Sequence, residues 1–205
     1  MVDRPLSDKI LAKAAKEGDT RAFEELFERY KKPVLNFIYR LIGNKETAEE
    51  VAQEVFMKAY DNLKIYDPDR KFSTWFYTIA RNLAKNSLRD RKYFRDVSLE
   101  EPVFAEGEEI RLKDVIADSS ASPDAIARDE ELANEAKKVL DSLPLELKEV
   151  VTLVSVQGMT YQEAADILGC SVGNIANRLE EAKALFMKKL GIGHIRGKGS
   201  ESHGS

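Results

Sequence analysis

Cationic and amide side chains recur at helical spacing along one segment in the first half of the chain. Arg81, Lys85 and Arg89 repeat every four residues, and Asn82 and Asn86 repeat one position later. Guanidinium and ammonium groups bind phosphates, and an amide both donates to and accepts from the edge of a base. Aromatic residues lie just upstream, and flat rings stack on unpaired bases. These types and this spacing favour a surface that binds single-stranded or melted nucleic acid.

The local charge supports this interpretation but leaves a simpler one open. Residues 64–95 carry nine basic side chains against three acidic ones, a net of +6, whereas the whole chain sums to -4. The same pattern also fits a solvated charged helix over an aromatic core, because Trp75 and Phe76 lie where core residues are expected. The spacing predicts that Trp75 belongs to the core.

Two helices are predicted ahead of this segment. Ser7 caps a short helix that runs to Lys16, and Asp19 caps a longer one with a wide apolar face. Pro33 lies inside the longer helix, where a proline kinks or splits it. Gly43 is expected to end it. The two helices form a helical hairpin.

The basic segment itself is the fourth predicted helix. Thr47 and Glu50 form a capping box that opens the third helix, and Asp67-Pro68 ends it. Ser73 is expected to cap the fourth. Residues 1–95 are therefore predicted to form a compact all-α domain around one core.

The character of the chain changes after this domain. Residues 96–135 hold thirteen acidic side chains against three basic ones, so we expect a flexible acidic linker over 96–130. Its charge predicts that it folds back over the basic helix. A glycine- and serine-rich tail at 193–205 is expected to be disordered.

A helix-turn-helix is predicted in the second domain, 131–192. Ala165 is a small residue inside one helix, Gly169 takes the turn, and Ile175 locks the next helix onto the core. Thr160 opens the first of these helices with a capping box, and Ser171 caps the second. An interaction-only helical domain is the alternative. The predicted DNA contacts of the second helix are Ser171, Gly173, Asn174, Asn177, Arg178 and Lys183.

Several protein classes are excluded by composition. The single cysteine, Cys170, permits no internal disulfide, and His194 and His203 are too few for a zinc cluster. No metal, cofactor or catalytic constellation is expected, so we predict that the chain is not an enzyme. No apolar run suits a signal peptide or a membrane span, which predicts a cytoplasmic protein.

Three stretches together resemble the extracytoplasmic-function (ECF) group of bacterial sigma factors. They are AEEVAQEVFMKAY, STWFYTIARNLAKNSLRDR and LPLELKEVVTLVSVQGMTYQEAADILGCSVGNIANRL. The resemblance covers about Leu6 to Leu190, in the family's order. It implies an all-α protein of two small helical domains joined by a flexible acidic linker, the second with the helix-turn-helix.

The resemblance also implies partners and a role for each domain. The first domain would bind the β′ clamp helices of core RNA polymerase and open the −10 element of promoter DNA. The second would bind the −35 element and the β flap, and an anti-sigma factor is an expected partner. The implied polymerase contacts are Glu49, Glu50, Gln53 and Phe56. The implied −10 contacts are Arg70, Lys71, Phe72, Ser73, Arg81, Asn82, Lys85, Asn86, Arg89 and Arg91.

The resemblance also implies a binding pocket for one base of the −10 element. The loop before Trp75 would receive a flipped non-template base, with Asn86 near that pocket. An extruded base loses a few kcal/mol of stacking, which such a pocket must return.

The chain departs from the family after Arg178. Glu180 and Glu181 follow where basic residues are usual, and Asn174 and Ala176 replace a common threonine and basic residue. Two other functions stay open: a free-standing helix-turn-helix regulator that binds duplex DNA, and a helical adaptor that binds only protein. A free-standing regulator would not need the basic first domain. An adaptor that binds only protein would give the positive charge of that domain no function.

Overall fold

The computed structural model describes residues 6–97 and 135–189, with side chains described to residue 91 in the first range. Over these residues the chain is helical, without strands. The α-helices are α1 Asp8–Lys16, α2 Thr20–Ile42, α3 Lys45–Asp61, α4 Phe72–Val97, α5 135–141, α6 Leu145–Val151, α7 Tyr161–Leu168 and α8 Val172–Lys189. The predicted acidic linker beyond Val97, its fold-back and the 193–205 tail lie outside the described residues.

Helices α1 to α4 pack against one another and form the first helical unit. The Asp19 carboxylate caps α2 by accepting from the backbone N–H groups of Arg21 and Ala22 at 3.0 and 3.3 Å. Gly43 ends α2 in the left-handed conformation, with φ of 77°. Pro33 does not split α2, which stays one helix across it. The long α2 therefore spans the unit and supports both α3 and α4.

Two of the predicted helix starts are wrong. The cap of α3 is Asn44, whose side chain accepts from the N–H of Thr47 at 2.8 Å, so Thr47 lies inside the first turn. In α4 the Trp75 N–H donates to the Lys71 carbonyl at 3.3 Å, which places Ser73 within the helix. Both errors are shifts of a few residues, because several nearby polar side chains competed as caps.

Helices α5 to α8 form the second helical unit. Pro144 directly precedes α6, which begins at Leu145. A π-helical turn, Thr152–Val156, extends α6 toward Gly158 and was not predicted. In it, the Thr152 hydroxyl donates to the Lys148 carbonyl at 2.7 Å. A small apolar cluster of Leu140, Leu143, Leu147 and Ala182 joins α5, α6 and α8.

The two units share one hydrophobic core. Leu26, Phe37 and Phe76 of the first unit belong to the same buried cluster as Leu153 and Ile175 of the second. Helix α7 packs on α4, and α6 and the π-helical turn pack on α2. Among the described residues, no helix combines the length and apolarity that a bilayer crossing requires.

Candidate nucleic-acid interface

The predicted cationic surface of α4 is exposed along its C-terminal half. Lys85, Asn86, Arg89 and Arg91 all lie on the surface, and Asn82 is exposed one turn earlier. Arg89 Nε forms an ion pair with Asp90 Oδ1 at 3.3 Å, between well-exposed side chains. Such a pair contributes little stability and yields readily to a phosphate. This half of α4 can therefore bind a nucleic-acid backbone without a rearrangement of the chain.

The N-terminal half of α4 is engaged by the second unit. Arg81 Nε donates to Glu149 Oε1 of α6 at 2.8 Å. Lys71 Nζ donates to Glu163 Oε1 of α7 at 2.9 Å. Neither contact was predicted, because the partners are 68 and 92 positions apart in the chain. Arg81 is thus paired inside the protein, whereas Lys71, which directly precedes α4, pairs at the surface with 70% of its side chain exposed.

The loop before α4 is held from inside the protein. Tyr66 is fully buried, and its hydroxyl donates to the Arg70 carbonyl at 2.7 Å. Lys16 Nζ donates to the Tyr66 carbonyl at 2.6 Å. The Asp67 carboxylate accepts from the Asp69 N–H at 3.0 Å, which makes a local turn. The Arg70 side chain is left 81% exposed and available to a ligand.

A cavity of about 620 Å³ opens beside this loop. It is large enough to admit a nucleobase. Helix α1 contributes one wall, which the sequence did not suggest. The lining residues are Leu6, Ser7, Asp8, Lys9, Arg29, Asp69, Arg70, Lys71, Phe72 and Ser73.

Phe72 supports the loop from the core instead of presenting a ring to a base. It is 3% exposed, and its ring stacks on Phe76 with centroids 5.6 Å apart. Trp75 is half-buried against Tyr66 and Phe72, in agreement with its predicted core position. The stacking faces of the Phe72 ring are covered, although Phe72 lines the loop cavity, so its contact with DNA stays a prediction.

Asn86 lies far from the loop cavity. Asn86 follows Phe72 by fourteen positions in the continuous α4, which separates them by about 21 Å along the helix axis. Asn86 does not line the cavity. The loop cavity and the Asn86 amide on the exposed face of α4 are therefore two separate candidate sites for a base, and not one pocket.

The helix-turn-helix has the predicted geometry. Gly169 adopts φ of 65° at the turn, and Ala165 and Ile175 are buried. Thr160 forms the capping box with Glu163, and the Ser171 hydroxyl accepts from the Asn174 N–H at 3.2 Å. Ser171, Gly173, Asn174 and Asn177 are exposed at the start of α8, the end that enters a major groove in this motif.

Both basic residues predicted to bind DNA on α8 have acidic partners. Arg178 Nη2 donates to Glu146 Oε2 at 3.0 Å, and Lys183 Nζ donates to Glu180 Oε1 at 2.6 Å. The Glu180 contact raises the pKa of the Lys183 ammonium group. Glu180, an acidic residue where the family usually has a basic one, therefore forms an ion pair with Lys183 on its own helix.

The predicted polymerase surface is only partly as expected. Glu49, Glu50 and Gln53 are exposed on α3. Phe56 is half-buried, with its ring 4.6 Å from that of Phe27 and 5.1 Å from that of Phe76. The sequence did not predict that apolar side chains near Phe56 would be exposed. Two of them lie on the charged face of α3, and one lies at the edge of the apolar face of α2. These are Phe27, Met57 and Tyr60.

Glu163 combines a capping role with the contact to the first unit. Burial raises the pKa of its carboxyl, but the hydrogen bonds from Lys71 and Thr160 outweigh burial, so the pKa lies below the ordinary value. Its carboxylate accepts from the Thr160 N–H and hydroxyl, each at 2.8 Å. Deprotonated Glu163 therefore stabilises both α7 and the contact with Lys71.

Glu163→Ala should lower the free energy of unfolding by about 1 kcal/mol at pH 7. Because the folded-state pKa is depressed, the carboxylate stabilises the fold above its unfolded pKa of about 4.3. That contribution is lost as the pH falls through the folded pKa. The difference from the wild type should therefore shrink in urea unfolding at about pH 3.5.

Glu163→Gln is the matched control for this prediction. The amide oxygen can still accept from Thr160, but it carries no charge. Its smaller stability loss should likewise shrink at low pH, while the remaining gap between the two variants should stay constant. A stability loss in Glu163→Gln that did not shrink at low pH would contradict a contribution from the carboxylate charge.

Comparisons with known proteins match both helical units. Residues 26–93 match the family described as Sigma-70 region 2, and residues 133–185 match Sigma-70, region 4. The RNA polymerase sigma-H factor of Pseudomonas aeruginosa is 34% identical over 186 residues, 89% of this chain and 93% of its own length. The ECF RNA polymerase sigma factor SigW of Bacillus subtilis is 33% identical, over 87% of this chain and 94% of its own.

Solved structures give the same result. The structure of CnrH in complex with the cytosolic domain of CnrY is 27% identical, with a TM-score of 0.64, and covers 91% of this chain and 98% of CnrH. The sigma factor RpoE of Bartonella quintana, in complex with the anti-sigma factor NepR, shares the fold, with 21% identity, a TM-score of 0.65 and coverage of 85% and 100%. With both sigma regions matched in order and relatives above 30% identity along nearly their whole length, the chain belongs to the ECF sigma factors, which direct RNA polymerase to promoters.

Proposed function

We propose that this chain binds core RNA polymerase, carries it to specific promoters, opens the −10 element with α4 and binds the −35 element with α8. The observation that carries the proposal is the pair of exposed nucleic-acid surfaces on one chain. One is the cationic and amide face of α4, at Lys85, Asn86, Arg89 and Arg91. The other is the start of α8. The chain acts in the cytoplasm beside the polymerase and supplies binding instead of a catalytic step.

Strand opening follows from the chemistry of α4. Lys85, Arg89 and Arg91 hold the phosphates of one strand, and the exposed Asn86 amide contacts a base edge. A second base enters the loop cavity beside Arg70. An extruded base loses a few kcal/mol of stacking, which these contacts offset. The site thus favours separated strands over the duplex.

Binding at the −35 element is weak by itself. Residues 141–190 hold seven acidic side chains against five basic ones, a net of -2. Arg178 and Lys183 must also leave Glu146 and Glu180 before they can bind phosphate. Tethering compensates, because a first unit already fixed on the promoter presents α8 at a high effective concentration.

The proposed polymerase surface is the exposed side of α3 with its neighbouring apolar residues. Glu49, Glu50 and Gln53 provide acidic and amide groups, and Met57 and Tyr60 add exposed apolar area. A polar rim around an apolar centre is typical of protein interfaces. We assign this surface to the β′ clamp helices and leave the β flap to the second unit.

An anti-sigma factor is part of the proposal. The Bartonella quintana relative in fold was solved with the anti-sigma factor NepR, and CnrH was solved with the cytosolic domain of CnrY. Both share the fold of this chain over at least 85% of its length. A protein of the same class is therefore the expected regulator.

The direct test adds the full chain to sigma-free core polymerase and measures transcription from a library of promoters. Transcription from a defined promoter class supports the proposal. A triple variant with Lys85, Arg89 and Arg91 replaced by glutamate should still bind polymerase but fail to open promoters. Sequence-specific duplex binding without polymerase, and no transcription with it, would instead support a free-standing regulator.

Lys85→Ala should weaken every promoter to a similar degree. A phosphate contact carries no sequence information, and its loss should reduce the slope of log affinity against log salt by about 0.7 to 0.9. The slope is measured with the polymerase complex between about 50 and 200 mM salt. Lys13→Ala, an exposed lysine on α1, is the control and should leave the slope unchanged. A promoter-dependent loss at Lys85 would contradict a phosphate role.

A further inference from the structure

The exposed face at the start of α8 combines two short amides with a glycine. Asn174 and Asn177 are both exposed and lie three positions apart, which makes them neighbours on the helix surface. Ile175 and Leu179 are buried on the other side of α8. Gly173 is exposed on the same face as Asn177, four positions before it. The surface that this motif presents to a major groove therefore consists of two amides and a residue without a side chain.

The fold of the chain does not itself require a glycine at position 173. Gly173 lies inside α8 and is not among the glycines with positive φ. A Cβ built on it would lie 4.0 Å from Ser171 Oγ, an ordinary contact, so the fold has room for a side chain. Glycine is a poorer helix former than alanine, and it is typical of places where another molecule approaches the backbone closely. Gly173 therefore indicates close approach of a ligand to the start of α8.

Close approach is what two asparagines need in order to read bases. An asparagine side chain is much shorter than that of arginine or lysine, so its amide reaches a base edge only when the helix lies deep in the groove. There the amide pairs with adenine, because it accepts from the N6 amino group and donates to N7. Three helical residues rise about 4.5 Å, close to the spacing of about 3.4 Å between neighbouring base pairs. Asn174 and Asn177 can thus face neighbouring pairs.

The other side chains at this end of α8 leave the base edges to the amides. The Ser171 hydroxyl caps the helix. Arg178 is the one basic residue in the first two turns, and its Nη2 donates to Glu146 Oε2 at 3.0 Å. Val172 is 39% exposed and offers an apolar contact to a thymine methyl group. This surface therefore suits A·T pairs and not guanine, which proteins bind most often with arginine.

We propose that α8 reads two neighbouring A·T pairs of the −35 element directly in the major groove, with Asn174 and Asn177 as the specificity-determining residues and Gly173 as the point of close approach. The inference rests on the proposed function of α8 and names the class of DNA sequence that this helix takes. Recognition occurs through hydrogen bonds to base edges, which differs from recognition of groove shape.

The test combines the full-length chain with core polymerase and promoters whose −35 element is randomised while the −10 element is held constant. The wild type should select A·T pairs at two neighbouring −35 positions. Asn174→Ala and Asn177→Ala should each reduce the preference roughly 10- to 100-fold at one position, and at different positions. Gln162→Ala is the control, because it removes an exposed amide of α7 that donates to Asp166 at 2.8 Å. It should leave the base preference unchanged.

A base analogue separates direct contacts from groove shape. 7-Deazaadenine lacks the N7 acceptor but still pairs with thymine. At the position that Asn177 reads, the analogue should weaken transcription by the wild type about tenfold and have little further effect on Asn177→Ala. The same holds for Asn174 at its own position. Equal effects of the analogue on the wild type and on the matching variant would overturn the amide contact.

Gly173→Ala tests the close approach separately from the amides. Alanine fits the space at this position and is the better helix former, so the variant should unfold at the same temperature as the wild type or at a higher one. Transcription from the selected promoters should nevertheless fall about tenfold, as for the loss of one amide pair. A lower unfolding temperature or unchanged transcription would overturn the role of Gly173.

Failure of the inference and failure of the proposed function give different results. Selected promoters with G·C pairs at these −35 positions would overturn the amide reading and leave the proposed function intact. So would a base preference that Arg178→Ala abolishes and the two asparagine variants preserve, because Arg178 would then be the reader. No transcription from any member of the library would refute the proposed function, and the inference with it.

Discussion

Phe76→Ala should lower the free energy of unfolding by about 3–5 kcal/mol. Phe76 is 1% exposed, and its ring lies within 5.6 Å, centroid to centroid, of Tyr30, Phe56 and Phe72. Truncation removes the transfer free energy of the ring and leaves a cavity that three other rings cannot fill without moving. Urea unfolding at equilibrium measures the loss, as a lower midpoint with an unchanged slope.

Phe27→Ala is the control for this prediction. Phe27 contacts the same cluster through Phe56, but it is 39% exposed and lies at the rim. Its removal should cost about 1 kcal/mol, because less apolar area returns to water and solvent fills the space. Equal losses for the two variants would contradict the central position of Phe76. Because one core joins both helical units, the Phe76 variant should also increase the separation of the units.

Asn86→Ala should relax selectivity at one base of the −10 element. An amide that pairs with a base edge contributes about 1–3 kcal/mol of discrimination, or roughly 10- to 100-fold between the preferred base and the others. Transcription from promoters that carry each base at each −10 position measures this as a loss of preference at one position. The preferred promoter should weaken, while the substituted ones change little.

Asn82→Ala is the matched control, an exposed amide one turn earlier on α4. Its Oδ1 lies 3.5 Å from Arg81 Nη1, so its main contact is within the protein. We expect a small loss shared by all promoters. Equal losses for Asn86→Ala on matched and mismatched promoters would count against a base contact. Since about 21 Å of α4 separates Asn86 from the loop, substitutions at Arg70 should affect a different promoter position.

The helices and the helix-turn-helix were predictable because their signals are local. Apolar residues three and four apart define each buried face whatever the helix packs against. Ala165, Gly169 and Ile175 lie within eleven positions, so the turn geometry follows from short-range sterics. The exposed part of α4, from Lys85 to Arg91, also followed from spacing, since it lies opposite a continuous apolar face.

Other features depended on a choice among near-equal local options. Asn44 caps α3 in place of Thr47, although either side chain could accept a backbone N–H. The π-helical turn after Val151 has no distinctive residue type to mark it. Phe72 shows the same limit, because an aromatic beside a basic loop suits both a stacking platform and a core, and only its neighbours Tyr66 and Phe76 decide.

By itself, the amino-acid sequence determined the helical class and the order of the two candidate nucleic-acid surfaces, because periodicity, capping and charge spacing are properties of neighbouring residues. Only the tertiary structure decided which cations are available. Arg81 and Lys85 are indistinguishable by spacing, yet Glu149 holds one and leaves the other exposed. Partners 68 positions apart meet through the packing of α6 and α7 on the first unit, and no local pattern specifies that distance.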